Sequence, residues 1–263
     1  MSPARGNRIV ITHVRLDDLD AGTRDATFDH LTALVGSSLT PDVAADESWA
    51  VADWTGRRDE ICERASVYVA RVGKDVVGFL AYEPEVLLDR HVITLIAGCI
   101  RPEWQSRGIA FAFNVRLLLR TWRRSRLQPT FLVARILNPK ALHGWRRQLD
   151  DQRYFWPRIG DAPEPVPELA AIVTAYRQRH EPGVEFDPAG SVLKRRHLPG
   201  PRSTSPSGDL DVDQHYDKYA DLESGDTVLM AIYLTRSLIA SHLGRLVASL
   251  PRAVFIRPGR PTE

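Results

Sequence analysis

Hydrophobic and polar positions divide this chain into short β-rich runs and longer amphipathic runs. Residues 8–14 alternate and are β-rich, which predicts a first strand. Residues 17–35 and 41–65 carry helical spacing and are separated by Gly36-Ser37-Ser38; in the second, Val43, Ala50, Val51, Trp54 and Ile61 mark the apolar face. Residues 67–72 and 76–82 flank Gly73-Lys74-Asp75 and predict a hairpin. After a connection over 83–90, residues 92–100 (VITLIAGCI) hold no charge and many β-branched side chains, the pattern of a strand buried on both faces. A polar break follows, and residues 109–122 then run amphipathically without proline or glycine, predicting a helix. Residues 130–137 predict another buried strand. Residues 138–149 predict a helix with Asn138 as its cap and Pro139 at its first position.

Beyond this point the pattern is less regular. Residues 153–159 and 227–234 read as the last two core strands. Between them lie a proline-rich stretch (157–167), an amphipathic helix over 168–180 with Leu169, Ile172, Val173 and Tyr176 on one face, a short strand over 191–195, and a loop over 198–209 (LPGPRSTSPSGD). A helix over 237–250 and a basic, proline-bearing tail close the sequence. The division predicted is 1–160 as the core, 161–225 as an insertion able to form a lid over an acceptor site, and 226–263 as the last core strand with its C-terminal helix. No internal repeat is visible.

Composition narrows the function classes. The chain has 263 residues, 43% of them hydrophobic, enough for one large domain or one domain with an elaboration. No apolar run reaches membrane-spanning length and no signal sequence is visible, so no membrane role is expected. Two cysteines, Cys62 and Cys99, give no disulfide framework, which predicts a reduced, cytoplasmic chain. A net charge of +2 implies no field for nucleic acid. The eight histidines are scattered, with no HxxxH or CxxC pair, so no metal site is expected.

The stretch that carries chemistry joins the strand at 92–100 to the helix at 109–122. It reads Arg101-Pro102-Glu103-Trp104-Gln105-Ser106-Arg107-Gly108-Ile109-Ala110. A strand, a Gly-containing turn and a helix N-terminus direct free backbone N–H groups and the positive end of a helix dipole at one place, which suits a phosphate. Gly108 matters because a side chain there would hold a diphosphate away from the backbone. The general phosphate-loop patterns, GxxxxGK before Ser or Thr and GxGxxG, are absent. The stretch instead resembles the acyl-CoA pyrophosphate loop of the GCN5-related N-acetyltransferase (GNAT) superfamily, Arg/Gln-x-x-Gly-x-Gly/Ala after a Pro-Glu-aromatic lead-in. A second stretch, from Asn138 through Ala141 to Trp145, resembles that family's N-x-x-A-x-x-x-Y helix. The resemblance covers residues 7–156 and one C-terminal strand. The bland alternative is an ordinary strand-turn-helix that holds no ligand.

The resemblance implies an α/β (α+β) fold with a mixed, largely antiparallel sheet, flanked by helices and splayed between its two central strands. It implies acetyl-CoA, or another acyl-CoA, as co-substrate. The diphosphate would rest on Gln105, Ser106, Arg107, Gly108, Ile109 and Ala110, with charge from Arg101 and Arg107. Asn138 would touch the pantetheine arm, and the Ile100 N–H would polarise the thioester carbonyl. The implied reaction is direct attack by the amine of a small molecule in a ternary complex. A protein or peptide acceptor, a non-catalytic CoA-binding module, and a homodimer stay open.

The proton-transfer groups are less legible. The family often places a carboxylate on the strand before the loop; here that strand offers only Thr94. Candidate bases lie outside it at Glu83, Glu85, Asp89 and His91, or at Asp46 and Glu47. Trp145 occupies the family's usual general-acid position. A helical step of seven returns it to the face of Asn138, but an indole N–H donates a hydrogen bond without being a proton source. Tyr154, His143, Tyr216 and Tyr82 are the alternatives, and an unassisted thiolate is another. Cys99 reads as a small strand filler rather than a nucleophile. Arg116, Arg120, Arg123 and Arg124 share a helix face that reads as solvated, with the 3′-phosphate of CoA as the functional alternative.

Overall fold

The computed structural model describes residues 9–39, 48–124, 128–197, 199 and 206–240. The architecture is mixed α/β, with a large, mostly antiparallel sheet flanked by helices. The described residues fall into two compact units. One holds those up to Glu83 together with Ile96–Leu119; the other holds Pro84–Leu95 together with those from Arg120 onward.

In the first unit, β1 (Ile9–Arg15) pairs antiparallel with β2 (Ser66–Val72), from Ile9↔Val72 to Arg15↔Ser66. β2 pairs antiparallel with β3 (Asp75–Leu87) around Gly73, whose φ of +61° suits glycine. β4 (Arg90–Ile100) lies next to β3. Helices α1 (Ala21–Leu39), α2 (Trp49–Thr55) and α3 (Arg58–Arg64) precede β2, and α4 (Ile109–Arg124) follows β4. Buried aromatic rings join helices to strands: Phe28 of α1 stacks on Trp54 of α2 at 5.4 Å, and Trp54 packs at 5.4 Å on Phe79 of β3. Tyr68 of β2 donates its hydroxyl to the Arg116 carbonyl of α4 at 3.2 Å.

Four expectations change here. The Gly36-Ser37-Ser38 separator is helical, inside α1. A Cβ at Gly36 would lie 3.1 Å from Val51 Cγ2, so this glycine permits close helix packing rather than breaking the helix. The single helix expected over 41–65 is two, α2 ending at Gly56 and α3 starting after Arg57 at φ −110°, ψ 19°. The connection expected over 83–90 is mostly strand: β3 runs to Leu87, β4 begins at Arg90, and only Leu88 and Asp89 turn, at φ 50° and 57°. Finally, β4 is continuously buried only from Val92 to Leu95; Ile96 and Ala97 are partly open and Gly98 is exposed.

In the second unit, His91–Leu95 of β4 pair in parallel with β5 (Thr130–Ile136). The order continues through β9 (Thr227–Leu234), β8 (Val192–Leu193) and β7 (Phe186–Asp187), with β6 (Phe155–Trp156) also on β9. Three helices complete the unit: α5 (Pro139–Arg146), α6 (Pro167–His180) and α7 (Leu210–Tyr219). Leu169, Ile172, Val173 and Tyr176 of α6 pack on Val92, Phe131, Val133, Leu229 and Ala231, all fully or nearly buried. Burying each such aliphatic side chain stabilises the fold by roughly 1.5–3 kcal/mol. Residues 161–225 thus contribute α6, α7, β8 beside β9 and β7 beside β8; α7 is an element that the sequence pattern does not predict.

Several expectations lie outside the described residues: Arg8 of the first strand, residues 41–47 with Asp46 and Glu47, residues 125–126, Leu198 and 200–205 of the loop, the Arg124 side chain, and 241–250 of the last helix. Residues 236–240 are helical, with Thr235 Oγ1 accepting the Leu238 N–H at 3.2 Å.

Candidate functional site

The turn between β4 and α4 is held by its own backbone. Arg101 donates its N–H to the Val77 carbonyl at 3.0 Å, which fixes the end of β4 on β3. Because successive strand N–H groups point to opposite edges, the Ile100 N–H faces away from β3. The parallel pairing of β4 with β5 runs from His91 to Leu95 and no further. A one-turn 3-10 segment, Pro102–Trp104, follows, closed by Trp104 N–H to Arg101 O at 2.8 Å and Gln105 N–H to Pro102 O at 3.2 Å. The Gln105 side chain reaches back and donates to the Ile100 carbonyl at 3.1 Å, latching the strand end to the turn. Arg107 sits over the Trp104 ring at 4.6 Å, a cation–π contact.

Ser106 and Gly108 both adopt left-handed backbone, at φ 59° and 78°. Gly108 begins α4, its carbonyl accepting the Ala112 N–H at 2.9 Å, so the N–H groups of Ile109, Ala110 and Phe111 have no partner within the helix. A Cβ at Gly108 would meet nothing within 4 Å, so the space above the turn is open. Gln105, Ser106, Arg107, Gly108 and Ala110 are exposed and Ile109 is buried, which anchors the start of the helix. These residues fit a diphosphate: free donors, a helix N-terminus and basic side chains without an acid paired to them among the described residues.

In the second unit, Asn138 caps α5, its Oδ1 accepting the Lys140 N–H at 2.8 Å with Pro139 next in line. Asn138 and Ala141 are exposed and Trp145 is half-buried, the succession that a helical step of three and four places on one face. The Trp145 indole has no hydrogen-bond partner among the described residues. His143 points elsewhere: its Nδ1 lies 3.0 Å from Asp209 Oδ2, on the residue that caps α7. Arg146 donates to the same carboxylate at 3.0 Å. Burial acts to raise the Asp209 carboxyl, but the His143 hydrogen bond and the Arg146 charge outweigh it and hold it below the usual range.

The acid–base candidates separate by environment. Glu85 is buried and engaged: Thr94 Oγ1 donates to it at 2.6 Å, His180 Nε2 lies at 2.9 and 3.0 Å, and Arg179 Nε at 3.6 Å. Burial raises its carboxyl most, yet the His180 and Thr94 hydrogen bonds and the two neighbouring charges leave it lowered. Glu83 is also buried, with the Arg64 guanidinium 3.9 Å away. Tyr82 is buried, its hydroxyl 3.1 Å from His13 Nε2 and its ring stacked on Tyr68. Tyr216 donates its hydroxyl to the Ile136 carbonyl at 3.0 Å, and burial pushes its phenol well above the usual value. Burial pushes the Cys99 thiol up to about 12, which leaves no thiolate for nucleophilic attack. His91 and Asp89 are exposed at the hairpin end of β4; Tyr154 is half-buried with its ring edge-on to Tyr233 at 5.9 Å. Arg116 is partly buried in α4, and burial lowers its guanidinium pKa. Among the described residues no group of three His, Cys, Asp or Glu side chains could hold a metal, and no helix is long and apolar enough to cross a membrane.

Sequence reasoning missed the partners of Glu85 and His143, because His180 is 95 residues from Glu85 and Asp209 is 66 from His143. Only Asp209 left a trace: an Asp before Leu210 and Val212 is a helix start signal.

No family model matches the chain, and no curated protein does. Among solved structures, it is similar to an aminoglycoside N-acetyltransferase in complex with CoA, at 16% identity over 50% of this chain and 78% of that one, TM-score 0.33. It is similar to an IAA acetyltransferase from Bacillus cereus, at 11% identity over 86% and 100%, TM-score 0.37. It is also similar to a GNAT family acetyltransferase from Elizabethkingia anophelis with acetyl-CoA bound, at 12% identity over 88% and 100%, TM-score 0.40.

Proposed function

We propose that this chain is a GNAT-type, acyl-CoA-dependent N-acyltransferase that moves acetyl from acetyl-CoA to the amine of a small molecule. The observation that carries the reading is the β4–α4 turn. It combines an exposed Gly108 at φ 78°, open space where a Cβ would stand, three N–H groups without a partner inside the helix and a latched strand end. The acyl donor supplies a thioester activated toward amines. The chain's part is to hold it: N–H groups of Ile109 and Ala110 on the diphosphate, Arg101 and Arg107 as added charge, and Asn138 on the pantetheine arm. The Ile100 N–H, turned away from β3, donates a hydrogen bond to the carbonyl oxygen and stabilises the negative charge that develops on it.

Glu85, Tyr82, Tyr216 and Cys99 are withdrawn from proton transfer by burial and by their partners. His91 is exposed at the hairpin end of β4, nine residues before Ile100 in the chain. The amine enters from its neutral fraction in solvent; its nitrogen bonds to the carbonyl carbon, the C–S bond breaks, and the extra proton on nitrogen passes to solvent or to Glu83 or Tyr154, the candidates that remain, while the thiolate leaves with at most a hydrogen bond from Trp145.

Calorimetry with CoA and acetyl-CoA tests donor binding, and mass spectrometry across a panel of small amines and peptides tests transfer. Saturable binding that Gly108→Glu removes, with acetylation of an amine, is the expected result. No binding of either nucleotide to the folded chain overturns the reading. Trp145 and the carboxylate-free stretch of β4 favour one alternative, a CoA-binding module without turnover; binding with no product on any amine or peptide identifies it.

A further inference from the structure

A cavity of about 490 Å³ opens in the second unit at the C-terminal end of α6, with His180, Glu181, Glu185, Lys194, Arg195 and Arg196 in its wall. That volume is in the range of small-molecule sites. None of these residues belongs to the acyl-CoA reading, and the inference does not depend on it.

The wall is built by buried charge. Asp226, 2% exposed, accepts from Lys194 Nζ at 2.9 Å, from the Arg195 N–H at 2.9 Å and from the Asp221 N–H at 3.0 Å. Burial acts to raise the Asp226 carboxyl, but these bonds outweigh it and hold it below its usual range. Lys194 Nζ also donates to the Tyr219 carbonyl at 2.6 Å. This scaffold keeps Arg195 at φ 48°, a left-handed conformation that a non-glycine residue adopts only when its surroundings impose it. Glu181 is occupied as well, accepting from Arg135 at 3.0 Å and from Arg196. His180 is fixed by Glu85 through Nε2 and by stacking on Tyr176 at 4.7 Å.

Three of the lining residues carry a group without a partner among the described residues: the Arg195 guanidinium, the Glu185 carboxylate and His180 Nδ1. A cation, an anion and a ring nitrogen on one cavity are the complement of a ligand that carries both a carboxylate and an ammonium. Guanidinium is the group suited to a planar carboxylate, through two parallel hydrogen bonds. Carboxylate and imidazole nitrogen are acceptors suited to an ammonium. We propose that this cavity binds a small amino-carboxylate, its carboxylate on Arg195 and its ammonium between Glu185 and His180.

Calorimetry on the full chain tests this with α-amino acids, with ω-amino acids from β-alanine to 6-aminohexanoate, and with the matching acids lacking the amine. At least one amino acid is expected to bind saturably, and its des-amino analogue more weakly by about tenfold, the loss of one charge-assisted contact. Arg195→Ala should weaken the amino acid and its analogue alike. Glu185→Gln should weaken only the amino acid. Both side chains are exposed, so circular dichroism of the variants should match the parent. Ligand-induced shifts of the His180 ring resonances give an independent readout. The proposal is overturned if no amino acid binds saturably, if Arg195→Ala leaves the affinity unchanged, or if amino acid and analogue bind equally.

Discussion

Single residues divide according to whether their chemistry or their surroundings decide their role. Glu85 reads in the sequence as a loop carboxylate available as a base; the structure buries it in β3 between Thr94 and His180. Neither partner is legible, since periodicity states that a residue is buried and not what it meets. Because its carboxyl is lowered from the ordinary 4.5, Glu85 stabilises the fold above that pH, and the contribution fades as pH falls through the depressed value. Glu85→Gln should therefore cost about 1–3 kcal/mol near neutral pH, the scale of disrupting buried charge-assisted hydrogen bonds. The gap should narrow in acid. Denaturant unfolding of both proteins across the pH range measures it, and a gap that widens in acid contradicts the geometry. Tyr216→Phe leaves the Ile136 carbonyl without its donor and should cost about 1–2 kcal/mol at all these pH values, since the phenol does not titrate there. Gly108, by contrast, was readable as the residue that must lack a side chain, and its φ of 78° adds a conformational reason.

Elements were legible where a period or a punctuation residue marks them, and misread where the marks have another cause. Gly36 marks helix contact, not a break. Gly36→Ala gains about 1 kcal/mol of helix propensity. It also places a methyl 3.1 Å from Val51, where the side chain must yield, so it should not stabilise the protein. A rise in melting temperature for this variant would show that α1 and α2 are loosely packed. The β3–β4 turn was missed for the opposite reason: Leu88 and Asp89 hold the two positive φ angles that Asn-Gly usually supplies. Leu88 is also 59% exposed, so its side chain stabilises nothing that would offset the backbone cost. Replacing Leu88-Asp89 by Asn-Gly should raise stability by about 1 kcal/mol, by relief of the left-handed penalty at both positions. Thermal unfolding of the double variant reads this directly; no change or a loss would mean that the turn conformation is not the one that limits stability.

At the scale of the whole molecule, the donor side of the proposed reaction rests on backbone, whereas on the acceptor side the buried candidates Glu85, Tyr82 and Tyr216 are held by partners. Backbone donors need only a strand, a turn and a helix in sequence, which is why the stretch from the strand at 92–100 to the helix at 109–122 is readable. Proton transfer needs side chains brought together from distant segments, and those were not. If the amine enters neutral from solvent, the rate follows the chemistry of the substrates: kcat/KM should rise with pH along the ionisation of the acceptor, and its midpoint should move when one amine is replaced by another of different pKa. A midpoint fixed at one pH for all acceptors would reveal a protein base and refute the assignment. On the leaving side, coenzyme A is a thiol of ordinary acidity, near 8.5, so departure near neutral pH needs little help. A positioned general acid contributes about 10²- to 10⁴-fold where it is needed. Trp145→Phe removes the indole N–H together with part of the ring, and should lower kcat by less than about tenfold, the size of one neutral hydrogen bond. Trp145→Tyr restores a proton donor at that position on α5 and should equal or exceed the parent. A Trp145→Phe variant that binds acetyl-CoA normally yet loses turnover altogether would make the indole essential and replace unassisted departure by a step that runs through Trp145.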